Sequence, residues 1–496
     1  MAIPAYQELE EVFHKICVLG QVEAVLHWDL ATVMPNGGLN SRSEQLAELR
    51  AIQHNLITAP KIEELLDLAE KHSFSNDWQR ANLREMRQRW LQAIALETNL
   101  VTAFSKAGTA CEAAWREAHS LSDFELVQPK LQHLLSLVKE VANAKAECLN
   151  LDPYDALLND FEPGSSAEKV NSIFKKLKLF LPHLLGEVIE YQKSKPITRP
   201  SQSFSEASQR KLCNKVMELL GFDFNFGRLD VSKHPFCGGV PEDVRITTRF
   251  VENEFTSSLM GVLHETGHAL YERGLPTDWR LQPVGEALGM VIHESQSLLI
   301  EMQISRSKEF ISYLTPMIQN AFDGDGPFWH PENIYRLYTE VKPSFIRVDA
   351  DEISYPLHII LRFELEQALL KGDLNVKELP SAWNEKFEKL LGIKVPNNKL
   401  GCLQDIHWYD GAWGYFPTYT LGAIAAAQLF YSAKAQQPDL PSQIGLGNLT
   451  PLLNWLGEHV HSKGRLLNSD DLIKEATGEY LNPVYFEKHL RSRYLD

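Results

Sequence analysis

Residues 259–270 read Leu-Met-Gly-Val-Leu-His-Glu-Thr-Gly-His-Ala-Leu. Apolar positions recur around His264 and His268 at helical spacing, so the stretch predicts a buried helix. Two histidines four apart lie on one helix face, with about 6 Å of rise between their Cα atoms. That spacing lets both imidazoles bind one divalent cation and sets Glu265 beside a water held there, as a general base. Buried without a cation, two imidazoles and a carboxylate would cost free energy unless each found a partner. A catalytic site of this kind takes three protein ligands and leaves one position open. A histidine at 274 would complete the metzincin pattern, but the residue is Gly274, so the third ligand lies elsewhere.

The next apolar segment predicts a helix over about 284–305 and offers Glu286, Glu294 and Glu301. All three fall near one face, so spacing alone does not choose among them. His293-Glu294-Ser295-Gln296 is a polar cluster in an apolar helix, which favours Glu294 because polar groups there need a reason. Glu301 fits better as part of a solvent-facing stripe.

Upstream, residues 224–232 and 243–250 alternate with period two around a Gly/Pro-rich stretch, His234–Pro241, and predict strand, loop, strand. The rest of the chain carries the helical rhythm. Long helical segments are predicted near 5–30, 41–71, 77–118 and 122–149, bounded by breakers such as Pro35-Asn36-Gly37-Gly38 and Asp152-Pro153. Without linkers, repeats or low-complexity tracts, the expected organisation is one domain over 1–496, mainly α, with helical lobes and one small sheet.

Composition narrows the function. The 496 residues are 44% apolar and 23% charged, which excludes disorder as the main state. Lys and Arg number 49 against 65 Asp and Glu, a net charge of −16 that argues against nucleic acid or an anionic membrane surface as partner. The longest apolar run, near Leu421–Phe430, is far short of the roughly 20 residues of a membrane span. Six scattered cysteines without a CxxC pair predict free thiols. The first residues lack the basic-then-apolar pattern of a signal peptide, so a cytoplasmic location is expected.

Two later clusters have the composition of a site. Ile346-Arg347-Val348-Asp349-Ala350-Asp351-Glu352 sets one cation among three acids, which on its own reads rather as a surface ion-pair knot or a helix start. Gly401–Tyr409 and Gly411–Tyr419 are rich in glycine, aromatic rings and hydrogen-bond donors, as a pocket wall or an aromatic core is. His407, with Tyr415 or Tyr419, can donate to an oxyanion.

Taken together the clusters resemble the carboxypeptidase Taq family of metallocarboxypeptidases. The pattern HPF, DxRxT, HExxH, HESQ, IRxxAD and GxxQDxHW stands in order at 234–236, 243–247, 264–268, 293–296, 346–351 and 401–408. His27-Trp28-Asp29, Met34-Pro35 and Glu44-Gln45-Leu46 are similar to the family's opening segment. The resemblance implies that the metal ligands are His264, His268 and Glu294, a gluzincin-like set. It implies a large helical fold with a deep groove, the sheet at about 224–250 on its edge and the site motifs over 234–420, similar to angiotensin-converting enzyme and neurolysin. The implied activity is a metal-dependent carboxypeptidase of broad specificity acting on peptide substrates, with Zn²⁺, or else Co²⁺ or Mn²⁺, as cofactor and a homodimer as the assembly. Glu265 would be the general base, with His407 and Tyr415 or, preferably, Tyr419 at the oxyanion. An arginine fork suits a terminal carboxylate. Arg347 is the candidate, oriented by Asp349 and Asp351, with Arg245 and Arg249 behind it and His234 of HPF as a further contact. The alternative is a groove-restricted oligopeptidase that cuts internal bonds of short peptides.

Overall fold

The period-two stretch folds into three strands, one more than expected. In the computed structural model, which describes residues 2–200 and 202–495, β1 (Gly227–Val231) pairs parallel with β3 (Asp243–Thr248), and β2 (Phe236–Val240) pairs antiparallel with β3. The order is β1-β3-β2. The predicted loop therefore supplies β2. Its two glycines hide the strand signal, yet one of them makes the hairpin possible. Gly239 has φ +85°, and a Cβ there would stand 2.1 Å from the Asp243 carbonyl oxygen.

The rest of the described chain is helical. The first helix runs Ala2–Thr32. The segment expected over 41–71 breaks into Leu39–Ile57 and Pro60–Glu70, because Pro60 forces Ala59 to an extended ψ of 134°. The segment expected over 77–118 also breaks, into Asp77–Ile94 and Thr98–Leu121, with no glycine or proline marking the joint. Buried side chains form one large apolar cluster and a smaller one in the N-terminal helices, built on Leu9, Phe13, Ile62, Leu66, Met86 and Trp90. All six cysteines are free thiols. No described helix is long and apolar enough to cross a membrane.

Three helices position the site. Thr256–Gly274 carries His264, Glu265 and His268, and packs on the sheet and on Met290–Leu298. The latter in turn packs on Pro417–Gln436. Glycines set both distances. A Cβ at Gly267 would come within 2.5 Å of the Gln296 carbonyl oxygen, and one at Gly422 within 2.8 Å of Glu294 Cβ.

The helix expected over 284–305 is three pieces. Pro283–Gly285 is a 3₁₀ turn, the α-helix starts at Met290, and Leu299–Ser305 continues as a π-helix. Gly285 sits where a Cβ would lie 2.0 Å from the Trp279 carbonyl oxygen, so the chain turns sharply there. Glu286 consequently lies off the helix, paired with Arg89, and is no candidate for the metal.

Candidate functional site

His264, His268 and Glu294 each offer a ligand atom, and the three atoms lie within 4.8 Å of one another. The Nε2 atoms of His264 and His268 face opposite oxygens of Glu294 at 3.8 and 3.7 Å. Those distances are too long for hydrogen bonds, so the three groups surround a common point without satisfying one another. On the far side, His264 Nδ1 is 2.9 Å from Glu301 Oε2, and Arg306 pairs with the other Glu301 oxygen. With Nδ1–H held by that carboxylate, Nε2 is the nitrogen turned towards Glu294 and available to a cation, the arrangement of a metal-ligating histidine. Glu301 is largely buried behind His264, not on a solvent-facing stripe as the sequence suggested.

The electrostatics agree with the geometry. Burial would lower the His264 imidazole, but Glu301, Glu294 and Glu265 raise it to about 10. The pocket therefore favours positive charge. Burial holds His268 well below its ordinary value, so it is neutral, and pushes Glu294 up. A borderline-soft or hard divalent cation on two imidazoles and one carboxylate fits this donor set. Glu265 is buried next to the ligands and beside Cys237 of β2, and burial pushes its carboxyl up to about 7. A carboxyl poised there can both take and return a proton near neutral pH.

Facing the ligands is a second group. Arg347 is buried, its Nε donating to Asp405 Oδ1 at 2.9 Å and its Nη1 to the Tyr355 hydroxyl at 2.7 Å. Its Nη2 bonds nothing among the described residues. The guanidinium lies over the Tyr419 ring, 5.1 Å from the centroid, and its charge reaches Glu294. Asp405 is held on its other oxygen by Arg362, which is fully buried and also donates to Gln404 Oε1 at 2.8 Å. Two guanidiniums against one carboxylate leave the cluster with an excess positive charge. Asp349 and Asp351 do not orient Arg347 as expected. Asp349 is exposed, and Asp351 caps the next helix by accepting from Ile353 and Ser354. Asp405 takes that role from a distant motif.

His407 packs against Phe416 with rings tilted at 4.6 Å and lies 5.7 Å from the Tyr415 ring. Burial lowers it to about 4, so its ring is neutral, and its Nδ1 has no partner. Tyr415 and Tyr419 meet edge to face at 5.1 Å. Burial pushes Tyr415 up to about 12 and Tyr419 well above its usual range, and both sense Glu294. Both keep their O–H protons and so remain hydrogen-bond donors.

The remaining candidates sit on or beside the sheet. His234 is exposed at the start of β2, its carbonyl oxygen accepting from Ser232 at 2.5 Å. Arg245 donates through Nε to Asp243 at 2.9 Å and lies 4.5 Å over the Trp28 ring, whose other cation neighbour is Arg228 at 5.2 Å. Arg249 is exposed. None of the three joins the Arg347 cluster. Tyr355, Arg362 and Asp405 were not singled out from sequence, and Glu301 was weighed only as a metal ligand or a solvent-facing residue, not as the partner of His264. Only Asp405 carried a signal, as the acid of the QDxHW motif.

The family described as "Carboxypeptidase Taq (M32) metallopeptidase" matches residues 8–494. Thermostable carboxypeptidase 1 of Thermus thermophilus is 35% identical over 99% of this chain and 98% of its own. Carboxypeptidase 1 of Bacillus subtilis is 35% identical over 100% of this chain and 99% of its own. The solved structure of Trypanosoma cruzi metallocarboxypeptidase 1 superposes with a TM-score of 0.97 at 41% identity, covering 99% of this chain and 100% of that one.

Proposed function

The chain belongs to the carboxypeptidase Taq (M32) metallopeptidase family and is a metal-dependent carboxypeptidase, and from that premise we propose that His264, His268 and Glu294 hold its metal, Glu265 moves the proton and Arg347 reads the substrate's C-terminus. The metal we propose is Zn²⁺, with Co²⁺ or Mn²⁺ as substitutes on the same donors. When bound, such a cation polarises the scissile carbonyl and acidifies water.

The protein's own groups do the rest. A peptide enters with its terminal carboxylate against the free Nη2 of Arg347, while Asp405 and Tyr355 hold the guanidinium plane fixed. A rigid, buried fork meets a planar carboxylate without losing much entropy. Glu265 accepts the proton of the attacking water on a carboxylate oxygen and later returns it to the departing amine. The N–H of neutral His407 and the Tyr419 hydroxyl donate to the carbonyl oxygen as charge builds on it, and losing one such donor costs about 10²–10³ in rate. Buried aromatic neighbours keep bulk water away from these groups.

The observation that carries this reading is the buried Arg347, pinned on two sides with one nitrogen free and its charge reaching Glu294. A peptide ladder followed by mass spectrometry, after chelation and metal add-back, is the test. Loss of one C-terminal residue at a time is expected, with Glu265→Gln at least about 10²-fold slower at unchanged metal content. Arg347→Met leaves Asp405 paired with Arg362, so the fold survives. A charged hydrogen bond worth about 1.5–3 kcal/mol makes the expected rise in KM about 10- to 100-fold for free-carboxylate peptides, with little change for amidated ones. Equal losses on both substrates, or internal cuts in the ladder, would remove Arg347 from the role.

A further inference from the structure

Behind the metal site, between the helices Lys308–Ala321, Pro417–Gln436 and Val484–Leu495, lies a cavity of about 440 Å³. Its lining includes Lys308, Lys434 and Lys488. No carboxylate lies within ion-pair distance of any of the three among the described residues. Each ammonium sits over an aromatic face instead: Lys308 over Tyr335 at 5.4 Å, Lys434 over Phe430 at 4.7 Å and Lys488 over Tyr431 at 5.3 Å. Ring faces hold a cation in place without cancelling its charge. Two further groups on the lining, Arg493 and His489, are held by the buried Glu352 behind them. Glu309 on the lining and Glu479 beside Lys488 are the acids nearest three lysines that no ion pair among the described residues neutralises, in a chain whose net charge is −16. Gln303 lines the floor, is 3% exposed, and has no acceptor for its side-chain NH₂. Burial and the neighbouring Arg493 lower Lys434 against the pull of Glu309.

We propose that this cavity is a binding site for a small phosphate monoester, its phosphate held by Lys308, Lys434 and Lys488 and its organic part against the tyrosine rings. Donors outnumber acceptors around the space, which selects an anion, and point-charge ammoniums suit a phosphate better than a planar carboxylate. The volume is that of a small-molecule site rather than of a bare ion. The floor is the π-helix Leu299–Ser305, the same turn whose Glu301 orients His264, and Arg493 donates to the Met302 and Gln303 carbonyls there. Occupancy is thereby linked to the metal centre through two residues of backbone.

The test is calorimetric titration of the metal-loaded protein with inorganic phosphate and with adenosine 5′-monophosphate at physiological salt. Saturable one-to-one binding of the monophosphate is expected, weakened about tenfold by each of Lys434→Met and Lys488→Met. These variants should leave peptide hydrolysis unchanged without the anion. Lys308→Gln, at an exposed position, gives the same reading should a half-buried change disturb folding. At saturating monophosphate the wild type should change its KM or kcat and the lysine variants should not. Absence of saturable binding, or binding indifferent to all three variants, overturns the site. Binding without any kinetic change overturns the link to the metal centre. A shift to monomer on Lys488→Glu, with no anion binding in the wild type, assigns the face to a second copy of the chain and also overturns it.

Discussion

Glu301 never touches a reacting atom, yet it decides which nitrogen of His264 points inward. Its carboxylate accepts a hydrogen bond from Nδ1–H at 2.9 Å and makes Nε2 a better electron-pair donor to a cation. Glu301→Gln keeps a hydrogen-bond acceptor but loses the charge, so metal affinity should fall about 10- to 100-fold while saturating metal restores most of kcat. Activity measured against buffered free Zn²⁺ checks this, and an unchanged half-saturation point would contradict it. The sequence made His264, Glu265 and His268 legible because their spacing is itself the chemistry. Resemblance, not spacing, chose Glu294 among three glutamates. Glu301 was offered as a third candidate, but its hold on His264 could not be read, since a carboxylate seven residues past Glu294 looks like any other charged helix residue. Arg347 was readable, but its partner Asp405 lies 58 residues away in the chain, and sequence reasoning gave the task to the acids nearest at hand.

Helix packing around the site turns on two residues without a side chain, and they are expected to fail differently. At Gly267 a Cβ would meet main chain, the Gln296 oxygen at 2.5 Å and Ser297 Cα at 2.6 Å. Main chain gives little, so Gly267→Ala forces two helices apart, and overpacking of this kind costs about 1–3 kcal/mol or more. At Gly422 a Cβ would meet the Glu294 side chain, its Cβ at 2.8 Å and Cγ at 2.9 Å. Gly422→Ala should therefore push a metal ligand out of place, with the larger loss in metal affinity and the smaller in melting temperature. Thermal melts paired with metal titrations separate the two, and identical profiles would contradict this reading of the glycines. Helix existence was legible throughout from the apolar period, and boundaries were not. Pro60 marks one break, whereas the break after Ile94 and the switch to a π-helix at Leu299 have no local signature. The switch shows only in three dimensions, where it brings Glu301 against His264.

On the scale of the molecule, buried carboxyls tie together segments far apart in sequence, and they make stability depend on pH in opposing ways. Glu162 joins the loop before Ala167–Gln192, the start of Met290–Leu298 and the helix Ser469–Thr477: it accepts from the Val291 N–H at 2.7 Å and from the Ser469 hydroxyl. Burial pushes it up to about 7. Burial would raise Glu352 as well, but Arg493 and His489 pull it down to about 2. The two then act with opposite sign. The Glu352 contribution is full above the ordinary carboxylate range and is lost as pH falls through about 2. The native state prefers Glu162 protonated, so its contribution is full below pH 4.5 and is lost as pH rises through about 7. The shift of 7 − 4.5 = 2.5 pKa values corresponds to roughly 3 kcal/mol withdrawn once Glu162 is ionised. Glu162→Gln keeps an oxygen for the Val291 N–H and cannot ionise. Its melting temperature relative to the wild type should therefore be lower or equal at about pH 5 and higher at about pH 8.5. A difference that stays constant between the two conditions would mean that Glu162 titrates as an ordinary surface acid, despite being 3% exposed at the junction of three segments.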